Sequence, residues 1–168
     1  MTEVSRHDGG RDFDFLLGSW RVANERLRSR LTGCREWERF ETTAEVAPIL
    51  GGLGNFDRIR AIRNGREFEG CTLRVFNPAT GQWTIHWVDT VGYALQPPMV
   101  GRFVAGVGEF FGDDEHAGRP VLVRFRWSSD AAGGARWEQA FSPDRGATWE
   151  TDWLMTLTRR AADEARPT

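Results

Sequence analysis

The sequence predicts an all-β fold: a single antiparallel, up-and-down barrel of about ten strands, with a short helical turn at its N-terminal end. Three observations predict it. Apolar and polar residues alternate with period two along most of the chain. Clusters of Gly, Pro, Asn and Asp interrupt that alternation at short intervals, as hairpin turns do. No helical periodicity alternates with the strands, which excludes a parallel βαβ arrangement. At 168 residues, one domain is expected over 12–160, with frayed polar ends at 1–11 and 161–168.

In chain order, Phe13 to Gly18 reads as the helical turn. Strands are expected near 19–29, 36–47, 54–63, 67–76, 82–89, 99–104, 107–112, 120–128, 135–142 and 148–159. Asn64-Gly65 joins the third and fourth strands as a two-residue hairpin turn. Phe76 to Trp83 and Phe141 to Trp149 are two versions of one longer turn, each running from an aromatic through Pro and Gly to a Trp. The second also resembles the Asp-box hairpin of sialidase propellers, which here is turn chemistry without a propeller. Val91 to Met99 is too rich in Pro for a strand and reads as a loop over the barrel mouth.

Closing the sheet removes exposed edges, and barrels above about eight strands leave interior room that side chains alone do not fill. Parity then selects the inward residues. It gives Trp20, Val22, Asn24 and Arg26 on the first strand, and Phe40, Thr42, Ala44 and Val46 on the second. The third strand contributes Asn55, Asp57, Ile59 and Ala61; the fourth contributes Glu69, Cys71, Leu73 and Val75. Trp83, Ile85, Trp87 and Asp89 follow, then Val121, Val123, Phe125 and Trp127, then Trp137, Gln139 and Phe141. The last strand presents Trp149, Thr151, Trp153, Met155 and Leu157. A slip of one residue reverses any of these faces.

Composition excludes several classes of function. All 22 positive side chains are Arg, since the chain has no Lys, so neither a P-loop lysine nor a Schiff-base lysine exists. A net charge of −2 with interspersed signs, and an Arg58/Arg60/Arg63/Arg66 cluster diluted by Asp57, Glu67 and Glu69, argue against nucleic acid as a partner. There is neither an apolar run near the roughly 20 residues of a membrane helix nor a signal-peptide pattern at the N-terminus, so no membrane association and a cytoplasmic location are expected. Cys34 and Cys71 have no metal-site spacing, and both are expected as thiols. Gly51-Gly52-Leu53-Gly54 precedes a strand rather than a helix, so it reads as a corner and not a dinucleotide loop. No metal and no cofactor are expected.

An interior that mixes Trp87, Trp137 and Trp153 with Asn24, Arg26, Asn55, Glu69, Gln139 and Thr151 is the composition of a small-molecule pocket, with Tyr93 placed on the mouth loop above it. The expected function is binding of a small hydrophobic or aromatic ligand. The alternative is a cofactor-independent isomerase, cyclase or lyase in which Asp57 or Asp89 moves a proton and Arg26 holds an oxyanion. His86, the best placed of three histidines, is a further acid–base candidate, although parity turns it outward. His7 belongs to the polar N-terminus, and His116 to an acidic Asp113-Asp114-Glu115 loop. Outward Trp37 and the Arg124/Arg126 face suit a homodimer contact.

Gly18-Ser19-Trp20 ahead of the first strand, with Arg159 closing the last, resembles the calycin superfamily of lipocalins and fatty-acid-binding proteins. The resemblance implies that Trp20 plugs the closed end of the barrel with the Arg159 guanidinium over its ring. Asp12 to Trp20, Leu50 to Asn55, Phe76 to Asp89, Val100 to Gly112 and Arg136 to Arg159 together resemble a family of short bacterial calycin-like barrels of unknown function. That likeness implies a fold and no particular activity. Nitrobindin-type haem barrels differ: they carry Gly where this chain has Val22, and a C-terminal proximal His that is missing here.

Overall fold

Alternation becomes a closed cylinder. The computed structural model describes residues 9–63 (Arg63 by its backbone alone) and 65–161, so His7 and Asn64 lie outside the described residues. Ten strands follow one another: β1 Gly18–Leu27, β2 Trp37–Ile49, β3 Gly54–Arg63, β4 Arg66–Asn77, β5 Gln82–Asp89, β6 Met99–Val104, β7 Val107–His116, β8 Arg119–Ser129, β9 Ala135–Ser142 and β10 Glu150–Arg159. Each pairs antiparallel with the next, and β10 returns to β1, closing the barrel without a free edge. Among the described residues, two three-residue 3-10 turns, Asp14–Leu16 and Leu50–Gly52, accompany the strands. Among the described residues, no helix is long and apolar enough to cross a membrane.

The turn before β1 plugs one end. Phe13, Leu16 and Trp20 are fully buried there, and Phe13 meets Trp83 and Phe103 edge-on at 5.0 and 4.8 Å. Trp20 donates its indole N–H to the Leu16 carbonyl at 2.7 Å. Arg159 pairs with Trp20 in register, sets its guanidinium 4.2 Å from the ring and donates to the Phe15 and Leu17 carbonyls. The plug starts earlier than the expected frayed segment 1–11 allows for. The Gly9 carbonyl accepts from the Trp83 indole at 2.9 Å, and Gly10 is buried against Leu53 and Phe76.

The turns behave as their chemistry demands. β3 and β4 pair as far as Arg63↔Arg66, and Gly65 takes φ +72° in the tight link. Between β9 and β10, Asp144 accepts from the Thr148 backbone and hydroxyl and from Ser142, while Ser142 Oγ accepts from Gly146 N. Those bonds, the Thr148 hydroxyl foremost, hold the Asp144 carboxyl down at about 2.

Two inward faces and one loop require correction. On β4 the buried residues are Gly70, Thr72, Arg74 and Phe76, so Glu69, Cys71, Leu73 and Val75 face outward. Glu69 instead bridges Arg58 and Arg60 on the exterior. A β-bulge between Thr151 and Trp153 reverses the start of β10: Asp152 turns inward and is 1% exposed, whereas Trp149 packs outside against Phe111 and Arg124. The expected acidic loop 113–116 is the end of β7, paired through His116↔Arg119.

Candidate functional site

The lumen is lined by the alternate residues that parity turns inward. Between the plug and the opposite, open end lies a cavity of about 260 Å³. Its middle is aromatic. Trp137 meets Trp153 edge-on at 5.7 Å and Phe125 at 5.0 Å, and stands 6.3 Å from Trp127. Trp87 and Phe68 stack at 6.5 Å nearer the mouth, where Gln96 and Pro97 of the loop between β5 and β6 also border the space. Gly70 is what lets Trp87 lie there, because a Cβ at that position would come within 2.1 Å of the indole. The loop is anchored by the Gln96 N–H to the Trp87 carbonyl at 2.8 Å.

Polar groups interrupt this apolar wall at three places. At the floor, Arg74 Nη1 donates to Asp57 Oδ2 at 2.7 Å and to Asn55 Oδ1 at 2.9 Å. The Arg74 guanidinium lies 5.4 Å from the Phe13 ring and 5.1 Å from the Trp127 ring. Asp57 Oδ1 accepts from Thr72 N at 3.0 Å. Both charged side chains of the pair are 3% exposed, so each depends on the other for its solvation. Half-way up, Asn24 gives its amide to the Val22 carbonyl and Thr42 Oγ1, and accepts from Trp153 Nε1 at 3.0 Å. Near the mouth, Gln139 donates to both oxygens of Asp152, which also faces Arg30 Nε at 3.2 Å. Arg30 stands over Phe141 at 4.3 Å, and Leu31 N donates to the Glu150 carboxylate, docking the β1–β2 loop. Burial pushes the Asp152 carboxyl up, against the opposing pull of Arg30 and Gln139.

The structure brings Asn24, Asn55, Asp57, Trp87, Trp137, Gln139 and Trp153 to the lumen or its wall. Arg26 lies beside rather than in it, its guanidinium 4.8 Å from the Trp153 ring. Asp89 is bent into the start of the mouth loop, where it accepts from Trp87 Nε1, Val91 N and Gly92 N. Partial burial works against its charge, but the bonds from Gly92, Trp87 and Val91 prevail and leave its carboxyl below the usual range. Tyr93 is 80% exposed and does not line the cavity. Glu69 and His86 sit on the outer surface of β4 and β5, and Thr151 is displaced by the bulge.

Sequence reasoning missed Arg74, Phe68, Arg30 and Asp152. A signal for the first two existed: Phe68 and Phe76 share even parity with Gly70, Thr72 and Arg74, and the inward Asp57 on β3 calls for a cation across the strand. Arg30 lies in a loop, and a bulge carries no mark in the residues around Asp152. Among the described residues, no group of three or more His, Cys, Asp or Glu is arranged to hold a metal ion. Comparison of the chain with known protein families gave no match, and neither did comparison with curated proteins.

Proposed function

We propose that this chain is a calycin-like barrel that holds one small, mostly apolar or aromatic molecule in its lumen. The observation that carries the reading is the cavity of about 260 Å³ walled by Trp87, Trp137 and Trp153. It is larger than the roughly 150 Å³ void that takes up benzene and just below the roughly 300 Å³ at which ligand pockets begin. The wall is built in advance: the Trp153 indole is bonded to Asn24 and the Trp87 indole to Asp89, so binding spends little on ordering them. The Arg159 guanidinium over Trp20 supports the calycin likeness.

Binding fits the site better than catalysis. Of the three acid–base candidates, Asp57 alone borders the cavity, and it is committed to Arg74 and Thr72. Asp89 is held as a loop-bending carboxylate, and His86 faces outward.

Titration with naphthalene, followed by tryptophan fluorescence, tests the reading. The expected result is a saturable one-to-one change that is lost when Trp137→Arg fills the lumen. A fluorescence unchanged up to the solubility limit would overturn it.

A further inference from the structure

The wall of the cavity near its mouth specifies more than an apolar occupant. Gln139, inward on β9, and Arg30, on the loop between β1 and β2, both border the cavity. They are neighbours, because both meet one oxygen: Asp152 Oδ2 stands 3.4 Å from Gln139 Nε2 and 3.2 Å from Arg30 Nε. The Arg30 guanidinium is also placed over Phe141, two residues along the same strand from Gln139.

Asp152 decides which ends of these two side chains are left over. A carboxylate can only accept, so it draws the Gln139 amide N–H group and leaves the amide oxygen, Oε1, turned the other way. It takes the Nε side of the guanidinium as well, which leaves the Nη1 and Nη2 end. Among the described residues, Gln139 Oε1, Arg30 Nη1 and Arg30 Nη2 have no hydrogen-bond partner. None of the three is sealed from contact, as Arg74 Nε and Trp127 Nε1 are. Two adjoining side chains of the cavity wall thus keep an open acceptor and open donors.

Charge and polarity decide what they receive. Arg30 already faces Asp152, and a ligand carboxylate would bring a second anion beside a carboxyl group that is 1% exposed. It would also set an oxygen against the Gln139 carbonyl with no proton between them. A ketone answers the guanidinium and leaves Gln139 Oε1 bare. A carboxamide or lactam carries a carbonyl oxygen and an N–H side by side, the complement of both.

We infer that the ligand is a neutral amide, a carboxamide or lactam on an aromatic body, with its carbonyl oxygen on the Nη end of Arg30 and its N–H on Gln139 Oε1. The inference rests on the ligand-binding reading above and deepens it. The aromatic body lies against Trp153, the register partner of Gln139, and Trp137, which meets Trp153 edge-on. Arg30 and Gln139 are the specificity-determining residues.

Three probes of nearly one shape test it by calorimetric titration of the full chain, with naphthalene as the reference: 2-naphthamide, 2-acetylnaphthalene, in which a methyl replaces the amide nitrogen, and 2-naphthoate. The amide is expected to bind about fivefold more tightly than the ketone, the yield of one further hydrogen bond to a group the ketone leaves unpaired. It should also bind more tightly than the carboxylate. Gln139→Leu should erase the advantage of amide over ketone. In Arg30→Met both should weaken severalfold relative to naphthalene. A ketone bound as tightly as the amide, a naphthoate bound tightest, or an amide advantage that survives Gln139→Leu would overturn the inference, while naphthalene binding leaves the apolar cavity standing. Failure of all four compounds to bind would overturn both. Should Gln139→Leu not fold, the order of the probes on the unaltered chain and their weakening in Arg30→Met decide.

Discussion

The Arg74–Asp57 pair joins two charged side chains that are each 3% exposed, and its removal can be worked through in numbers. Arg74→Met keeps a long side chain against Phe13 and Trp127 but leaves the Asp57 carboxylate with only the Thr72 N–H, in a site where the pair was 3% exposed. Breaking a buried pair by removing one member costs about 3–5 kcal/mol, because the other charge stays behind unpaired. For a chain of this size that corresponds to a fall in Tm of roughly 6–20 °C. Removing both charges together is a different perturbation. In Asp57→Asn with Arg74→Met, the Asn oxygen still accepts from Thr72, Asn55 loses a donor, and the net cost should be about 1–2 kcal/mol. The two substitutions therefore couple by roughly 2 kcal/mol or more, well above the scatter of additivity for independent sites. Urea unfolding of the three variants, followed by tryptophan fluorescence, measures the cycle. An Arg74→Met cost below about 1 kcal/mol, or a double variant as unstable as the two single costs added, would refute the reasoning.

Other perturbations test other parts of the barrel. Gly70→Ala forces the Trp87 ring off β4, since the new Cβ would sit 2.1 Å from it; a loss of about 1–3 kcal/mol and altered near-ultraviolet dichroism are expected. Arg159→Met removes the cation over Trp20 and two donors to the plug carbonyls of Phe15 and Leu17, for about 1–3 kcal/mol in thermal unfolding. The Asp144 turn sets an acid limit. Its folded carboxyl titrates at about 2, below the unfolded value of 3.8, so its contribution is present above pH 3.8 and is lost as pH falls towards 2; Asp144→Asn should flatten that limb of an acid-unfolding curve.

Why the fold was legible and the floor of the cavity was not comes down to particular residues. Strands such as β5, with Trp83, Ile85 and Trp87, and β8, with Val121, Val123 and Trp127, carry enough apolar residues on one parity for the inward face to be read directly. Gly18, Trp20 and Arg159 mark the closed end, and the structure joins them by the expected contact. β4 misleads because hydrophobicity is the wrong guide there: Cys71, Leu73 and Val75 look inward-facing, yet the lumen takes Gly70 to make room for an indole and Arg74 to neutralise Asp57. A residue chosen for a partner across the sheet or for its lack of a side chain leaves no alternation to detect. The bulge at Asp152 is a similar case, since one extra residue shifts every face beyond it and displaces both Trp149 and Thr151 from their expected places. Cavities depend on such exceptions, and single-strand periodicity averages over them.

The central claim is that the lumen admits a small apolar molecule between its indoles. Methionine methyl groups report on it directly, because Met155 lines the lumen, Met99 lies towards the mouth, and the chain has only 3 methionines. In a protein labelled with ¹³C at the methionine methyls and titrated with 2-acetylnaphthalene, the account predicts that the Met155 and Met99 signals shift together and show nuclear Overhauser contacts to the naphthyl protons. Signals that stay in place at saturating probe, or contacts confined to exposed surface groups, would contradict it.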